Sequence, residues 1–357
     1  MRFVRIVQVV VLPSLSAWLG CNTIIGLELG EPEELGNVGG AGASSSGQST
    51  GGPGGTGGAS TASGGAGGAP TTTVSVTSTG TGGGGGMPTT CPVFLPTSPW
   101  NTDISNAPVD ARSDDYITFI GTGTPLHPDF GPSNGIPYVN VDSTVPKIPV
   151  SFQYSNESDV GPYPIPANPP VVEDGYILMV HEEECVLYEL IGWQISPPDD
   201  AAAGAIWDLK INATRPAGWI SADSAGLPIY PGLVRYEEAI VAGEIKHALR
   251  FSTSPTQHAY VAPANHSVGG NVDPNAPPMG LRLRLRPGVT IAGATPEVQA
   301  IVTALKKYGM FLASNGGDLY LSGAPHPSWN QANIQALSQL QGGDFEAIET
   351  GPLTTLN

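Results

Sequence analysis

The sequence predicts a mainly β protein: a β-sandwich or jelly-roll-like domain with two short helices near its C-terminus. Between residues 116 and 322, brief segments rich in β-branched and aromatic residues alternate with Gly, Pro and Asn, a pattern typical of short strands joined by turns. Two later segments show helical periodicity instead. The chain has no repeat of fixed period, which disfavours a propeller or a β-helix.

Residues 1–20 predict a signal peptide. Arg2 and Arg5 precede an interrupted apolar run that is too short to remain in a bilayer as a span. Cys21 follows directly, so the segment resembles a bacterial lipoprotein processing site with Cys21 as the lipidated N-terminus, although Trp18 stands where that pattern has Leu. The alternative is a soluble exported protein cleaved nearby. We expect an exported protein of the cell envelope, on the outer membrane or cell surface, that contacts the membrane only through its lipid anchor.

Residues 21–90 predict a lipidated N-terminus followed by a disordered tether. This segment consists largely of Gly, Ser and Thr, and it has too few apolar residues to offset the entropy lost on ordering. The folded domain should therefore span residues 91–357, which is long enough for a core of its own.

Two cysteines remain within the predicted domain. In an oxidising compartment Cys91 and Cys185 are expected to pair, and the bridge would fix the start of the domain to a central strand. The alternative is two buried free thiols. Their spacing fits no zinc motif, and neither do the intervals between His247, His258 and His266, so we expect no metal site and no cofactor.

The predicted strands are short segments, and several of them contain or flank the predicted functional residues. GMFLAS and DLYLSG flank Asn315-Gly316-Gly317, which predicts a hairpin. The segments in chain order are YITFI, KIPVSFQY, GYILMVHEEECVLYELIGW, AIWDLKI, HALRFST, HAYVAP, LRLRLR, GMFLA and DLYLSG.

Both helices have start signals. The first runs through TPEVQAIVTALKKYG, with Thr295 as its cap, Pro296 in its first turn and Gly309 at its end. The second runs through NQANIQALSQL, where Asn330 is the cap and an apolar face follows at helical spacing.

The charge of the chain disfavours a nucleic acid partner. Its formal net charge is −17, which would repel phosphates, and basic residues are scarce. In LRLRLR the leucines should point inward and the arginines outward. This row is either a charge-protected, solvent-facing strand or an anion-binding stripe suited to acidic polysaccharides. The arginines are Arg282, Arg284 and Arg286.

The segment RPAGWISADSAGLPIYPG, residues 215–232, predicts a long ordered loop. Pro and Gly interrupt every periodic pattern in it, yet it carries charged and aromatic side chains. Aromatic rings beside carboxylates and arginines are typical of sugar-binding sites. Asp208, Asp223 and Glu238 could include the acid and base of a glycosidase, or they could be turn formers and salt-bridge partners.

Alternation in EIKHALRF places His247 on the apolar face of a strand with Ile245 and Leu249. It is therefore either a core histidine or a histidine at the floor of a cleft. Arg250 falls on the opposite face.

Seven segments in consistent order resemble a family of secreted bacterial proteins with one large extracellular domain. The resemblance spans residues 94–350 but implies no activity; the family pattern has an acidic residue where Ser314 stands, which weakens a catalytic role for that turn. The segments are SPWN, SDVGPYPIP, GAIWDLKINATRPAGWISADSAGLPIYPGLVRYEE, HALRFS, PPMGLRLRLR, ALKKYGMFLASNGG and SGAPHPSWN. Residues within these motifs are Asp159, Trp207, Asp208, Arg215, Trp219, Asp223, Arg235, His247, Arg250 and Asn315.

The leading hypothesis is a surface or periplasmic lipoprotein whose domain binds a polysaccharide. If the protein is an enzyme, it would cleave this polysaccharide by hydrolysis or elimination. The alternative is a non-catalytic envelope module that binds a glycan or a protein. An enzyme should bring two of the candidate acids and bases into one cleft. The predicted catalytic residues are Asp208 and Asp223 as acid and base, with His247 as an alternative base. The predicted substrate-binding residues are Trp207 and Trp219 as sugar platforms, Arg215, Arg235 and Arg250 as clamps, and Asn315.

Overall fold

The computed structural model describes residues 89–172, 174–193 and 200–356. The predicted signal peptide, the lipidation of Cys21 and almost all of the tether lie outside these residues. Within the described ranges, no helix is long and apolar enough to cross a membrane.

The described chain is built mostly from short strands, which confirms the mainly β class. The strands are β1 (His127–Asp129), β2 (Tyr138–Val141), β3 (Lys147–Ile148), β4 (Ser151–Phe152), β5 (Tyr163–Pro164), β6 (Ile177–His181), β7 (Val186–Ile191), β8 (Asp200–Ala201), β9 (Ala203–Asp208), β10 (Leu249–Ser252), β11 (Ala259–Tyr260), β12 (Arg282–Leu285), β13 (Met310–Ser314), β14 (Tyr320–Ser322), β15 (Phe345–Ala347) and β16 (Thr354–Thr355). The α-helices are α1 (Ser113–Ile120), α2 (Pro296–Lys307) and α3 (Gln331–Ile334). A π-helix spans Glu237–Ala242, and 3-10 turns span Ser155–Glu157, Tyr230–Gly232, Gln335–Gln339 and Gly342–Asp344.

Two larger sheets organise the domain. The six-stranded sheet has the order β1-β14-β10-β13-β12-β15, with parallel pairs β1/β14 and β10/β13 and antiparallel pairs elsewhere. The four-stranded sheet has the order β2-β6-β7-β9. Both sheets contribute to one hydrophobic cluster, as in a β-sandwich-like domain. A second cluster covers the other face of the four-stranded sheet, so β6 is buried along its whole length.

The two helices near the C-terminus form as expected. Helix α2 begins at Pro296 and buries Val298, Ile301 and Leu305. Thr295 stands at its start in extended conformation, but the predicted side-chain cap is wrong, because the Thr295 hydroxyl has no hydrogen-bond partner among the described residues. At α3 the Asn330 side chain accepts from the backbone N–H groups of Ala332 and Asn333, and the helix continues as a 3-10 turn.

Two local predictions are wrong. YITFI is helical, not extended: the buried positions Ser113, Tyr116, Ile117 and Ile120 follow helical spacing, and acidic residues in the first turn favour the helix dipole. GMFLAS and DLYLSG do not pair, because β10 lies between β13 and β14.

Contacts with residues far away in the sequence explain why the predicted hairpin does not form. The Asp318 carboxylate accepts hydrogen bonds from the Thr253 hydroxyl at 2.7 Å and from the Ser254 backbone N–H at 3.1 Å. The loop that leaves β13 is thereby held over the end of β10 and enters β14 on its far side. The turn sequence specifies a reversal, but these contacts from distant residues decide which strand becomes the neighbour.

Cys91 and Cys185 form the predicted disulfide. Their sequence separation is 94, so the bridge joins the start of the described domain to the turn between β6 and β7. Closing a loop of this size restricts the unfolded chain and stabilises the fold by about 2–4 kcal/mol.

The loop at residues 215–232 is ordered because a buried carboxylate holds it to the four-stranded sheet. Glu189 on β7 is fully buried and accepts from the backbone N–H groups of Ile229 and Tyr230, each at 2.9 Å. It also accepts from the indole N–H of Trp207 at 3.1 Å. Burial raises the pKa of Glu189 to about 7, although these hydrogen bonds oppose the shift.

We predict that Glu189 makes stability depend on pH. Between about pH 4.5 and about pH 7 the folded protein keeps a proton that the unfolded chain has lost. The free energy of unfolding therefore decreases as pH rises through this window, by about 3 kcal/mol in all. Urea titrations at pH 5 and pH 8 should show a smaller difference for Glu189→Gln than for the exposed control Glu183→Gln. Equal pH dependence in both variants would contradict this account.

Candidate functional site

A polar pocket of about 260 Å³ lies over the end of the six-stranded sheet. We call it the Arg250 pocket. Its floor is buried and includes Arg250, whereas Ser133 and Asn134 at its rim are exposed. The lining residues are Asp129, Ser133, Asn134, Gly135, Ile136, Val172, Asp174, Tyr176, Arg250, Ser252, Ser314 and Ser322.

Strand pairing explains why polar groups converge here. Asp129 on β1 lies opposite Ser322 on β14, and Ser252 on β10 lies opposite Ser314 on β13. Arg250 is two residues before Ser252, so both project from the same face of β10. Four adjacent strands thus each place a carboxyl, hydroxyl or guanidinium group on one side of the sheet.

Gly135 brings the loop before β2 close enough to form the rim. Its φ is +122°, and a Cβ there would lie 2.4 Å from the carbonyl oxygen of Gly323. The next residue, Ile136, donates its backbone N–H to that carbonyl at 2.9 Å. Only glycine allows this approach at that backbone conformation.

Arg250 is fixed by two side chains. It donates from Nη1 to Ser322 Oγ at 2.9 Å and from Nη2 to Asp223 Oδ2 at 2.5 Å. Its Nε has no hydrogen-bond partner among the described residues. That Nε atom is fully buried, whereas Nη1 and Nη2 each carry a second N–H beyond the bonds to Ser322 and Asp223.

Carboxyl groups surround this cation. Burial raises the pKa of Asp129, and the charges of His127 and Arg250 only partly oppose that shift. Asp129 is therefore protonated at higher pH than an exposed aspartate, which makes it a potential proton donor. Asp174 lines the same pocket, as does Tyr176, whose pKa burial also raises.

The structure places Asp223 beneath this site instead of within it. Its side chain is fully buried, with Oδ1 accepting from the Ala225 backbone N–H at 2.9 Å and Oδ2 paired with Arg250. Desolvation raises the pKa of Asp223 even though the Arg250 charge lowers it. Since both oxygens are engaged, Asp223 holds Arg250 in position.

The buried residues His247 and Arg235 form a separate cluster with the partly exposed Glu238. Its Nε2 lies 3.0 Å from Glu238 Oε2 and 2.9 Å from Arg235 Nη2, while Nδ1 lies 2.8 Å from the carbonyl oxygen of Ala248. Burial disfavours ionisation of Glu238, but the charges of Arg235 and His247 lower its pKa to about 2. Both ring nitrogens of His247 thus have protein partners, as expected for a core histidine.

The two predicted sugar platforms both pack on Arg215. Its guanidinium carbon lies 5.8 Å from the ring centroid of Trp207 and 5.4 Å from that of Trp219. Arg215 also pairs with Asp159 at 2.6 Å. Trp207 is only 2% exposed, so neither face of its ring is open to a sugar, whereas Trp219 is half-buried.

The remaining candidates lie apart from these groups. Asp208 ends β9 and accepts from the Lys210 backbone N–H at 2.9 Å, with its side chain 41% exposed, so it forms a turn. Asn315 accepts a hydrogen bond from the Thr256 hydroxyl at 2.6 Å. Of the predicted residues, only Arg250 therefore lines the Arg250 pocket.

The arginine row in LRLRLR is not solvent-facing. Arg282 and Arg284 are each 5% exposed, and β12 lies inside the sheet between β13 and β15. Arg284 pairs with Glu346 at 2.6 Å, and the more exposed Arg286 pairs with the same carboxylate at 3.2 Å. The leucines point into the core as expected. The interpretation of β12 as a charge-protected, solvent-facing strand was wrong, because β15 covers its edge and supplies the Glu346 carboxylate that compensates Arg284.

Sequence reasoning did not identify Asp129, Asp174 or the three floor serines. Asp129 follows His127 and Pro128 in a three-residue strand, which is too short to show alternation. The serines come from strands that are far apart in sequence, so their convergence depends on the order of the strands. The signal available was weak: Ser252, Ser314 and Ser322 each end a strand.

Comparison of the chain with models of protein families, with curated proteins and with solved structures gave no match. The resemblance to secreted bacterial proteins therefore stays a prediction.

We predict that the Arg250–Asp223 pair is energetically coupled. Asp223→Asn keeps the shape of the side chain but leaves Arg250 buried without a countercharge, which should cost about 3–5 kcal/mol in the free energy of unfolding. Arg250→Met alone should also destabilise. The double variant Asp223→Asn/Arg250→Met should lose less than the sum of the two single variants. Additive losses in urea titrations of all four proteins would rule out a coupled pair.

Proposed function

We propose that this protein binds a polysaccharide and that the Arg250 pocket takes one of its sugar units. The supporting observation is the lining itself: four serine hydroxyls, two aspartates and an arginine converge on about 260 Å³. Pockets for drug-sized ligands span about 300–1,000 Å³, so this one suits a single ring. Hydroxyl groups of a sugar both donate and accept hydrogen bonds, which matches such a mixed set of partners.

Charge compensation favours a neutral, hydroxyl-rich ligand over an anion. Arg250 is already neutralised by Asp223, and two further carboxyl groups line the pocket. A phosphate or a uronate would meet these carboxylates, whereas a hydroxyl can donate to them.

The proposal includes the location predicted from the N-terminal residues. A lipid at Cys21, followed by the Gly/Ser/Thr-rich segment, would leave the domain on a tether at the cell envelope. A binding domain on such a tether can search for glycans close to the membrane to which it is attached.

Cleavage is the second candidate function, and the raised pKa of Asp129 favours it. In hydrolysis, the Asp129 carboxyl would protonate the glycosidic oxygen as its bond to the anomeric carbon breaks. Water would add to that carbon and lose its proton to Asp174. Two carboxyl groups with these different roles are typical of glycoside hydrolysis.

Binding is tested with the full chain against a polysaccharide panel by affinity electrophoresis. Ser133→Trp should fill the mouth of the pocket and lower the affinity at least about tenfold, the equivalent of about 1.4 kcal/mol. Ser143→Trp is the matched control, because Ser143 is exposed and lies outside the pocket. Equal loss in both variants, or no retention by any glycan, would contradict the proposal.

Cleavage is tested on the glycan that is retained, by reducing-sugar release and by absorbance of unsaturated uronate. Hydrolysis should release reducing ends without that absorbance. Asp129→Asn should abolish the release while Asp208→Asn, which changes a carboxylate outside the pocket, leaves it intact. Retention without turnover would make the protein a binding module, and an unsaturated product would replace hydrolysis by elimination.

A further inference from the structure

A second pocket, of about 330 Å³, lies over β12 and β13 and is independent of the proposed glycan site. We call it the Arg282 pocket. Its walls are largely apolar, with Pro99, Ile104, Pro263 and Phe311 among them. Arg282 is the one arginine in its lining.

Arg282 has no carboxylate partner in the part of the chain that the structure describes. Its Nε and Nη2 donate to the carbonyl oxygen of Tyr308 at 2.8 and 2.6 Å, and Nη2 also reaches that of Thr102 at 3.1 Å. Tyr308 caps the C-terminal end of α2, so these bonds use the negative end of the helix dipole. Nη1 has no hydrogen-bond partner among the described residues and is not one of the fully buried unpaired atoms.

The cation is therefore only partly compensated. A helix C-terminus carries about half an elementary charge, whereas the guanidinium carries a full one. Arg282 is 5% exposed, and burial lowers its pKa to about 9, so it is still protonated at neutral pH. The other two arginines of LRLRLR, Arg284 and Arg286, differ from Arg282 because both pair with the Glu346 carboxylate.

Phe311 positions the guanidinium from the other side. The Arg282 Cζ atom lies 4.6 Å from the Phe311 ring centroid, and Trp100 packs edge-on against that ring at 5.0 Å. The planar group is thus held between an aromatic ring and the helix end, which fixes the direction of Nη1. Glu349 also lines the pocket, but it is exposed, so water and salt screen its charge.

From this geometry we propose that the Arg282 pocket binds a small carboxylate ligand with an apolar body. The carboxylate would accept from Nη1 of Arg282, which supplies the missing countercharge, and the apolar body would lie against the proline, isoleucine and phenylalanine walls. A neutral ligand of the same shape would gain only the apolar contacts.

The test uses the full chain with benzoate and its neutral isostere benzamide as probes, measured by calorimetry at pH 7. Benzoate should bind at least about tenfold more tightly than benzamide, because hydrogen bonds to charged groups are the stronger ones. Arg282→Met should remove the difference between the two probes. Equal affinities in the unmodified protein, or no binding of either probe, would overturn the proposal.

Because Arg282 also caps α2, its replacement can impair folding, and a second variant avoids this problem. Thr350→Trp fills the pocket without altering Arg282 and should abolish benzoate binding. Thr303→Trp, on the exposed surface of α2, is the matched control and should bind benzoate as the unmodified protein does. Undiminished binding to Thr350→Trp would place the benzoate elsewhere and overturn the assignment. Neither variant touches the Arg250 pocket, so glycan binding by both remains an independent measurement.

Discussion

Compensation of buried charge is the constraint on which the arrangement of this domain depends. One face of the six-stranded sheet carries a row in register, Asp129, Ser322, Arg250, Phe311 and Arg282, and this face is covered. An arginine buried there costs several kcal/mol unless anionic or carbonyl groups reach it. The segments that cover this face therefore supply the compensating groups. Arg250 pairs with the Asp223 carboxylate, whereas Arg282 donates to the carbonyl oxygens of Tyr308 and Thr102.

This requirement explains the loop at residues 215–232. Its Asp223 lies against Arg250, and Ser221 fixes the turn around Asp223 by donating to the Leu227 carbonyl oxygen at 2.6 Å. Glu189 then holds the far end of the loop to β7. From the sequence alone, this loop is predicted to form a ligand site, because it is rich in Pro and Gly and carries charged and aromatic side chains. In the structure most of them are the partners of buried groups, because a loop without regular backbone bonding needs side chains to order it.

Local patterns predicted the parts of the fold that depend on local interactions. The periodicity of α2 and α3, the Asn330 cap of α3 and the cysteine pair were all predicted from the sequence. Strand order was not, since β10 enters between β13 and β14 through contacts of Asp318 with residues 65 positions away. The Arg250 pocket depends on that strand order. Arg250 was therefore the one candidate found beforehand, whereas Asp129 and the floor serines required the register of four strands.

The same row also separates the two pockets for which we propose ligands. Phe311 lies between Arg250 and Arg282 in register, and Trp100 packs on it, so an aromatic partition divides the polar face. On one side, Arg250 is already paired with Asp223, and the further carboxyl groups of the pocket led us to propose neutral hydroxyls as the ligand groups. On the other, the hydrogen-bond acceptors of Arg282 among the described residues are carbonyl oxygens, and the ligand that we propose there is a carboxylate. Under the two proposals, the ligand class of each pocket follows from how its arginine is compensated, so two arginines on one face of the sheet would bind different ligands.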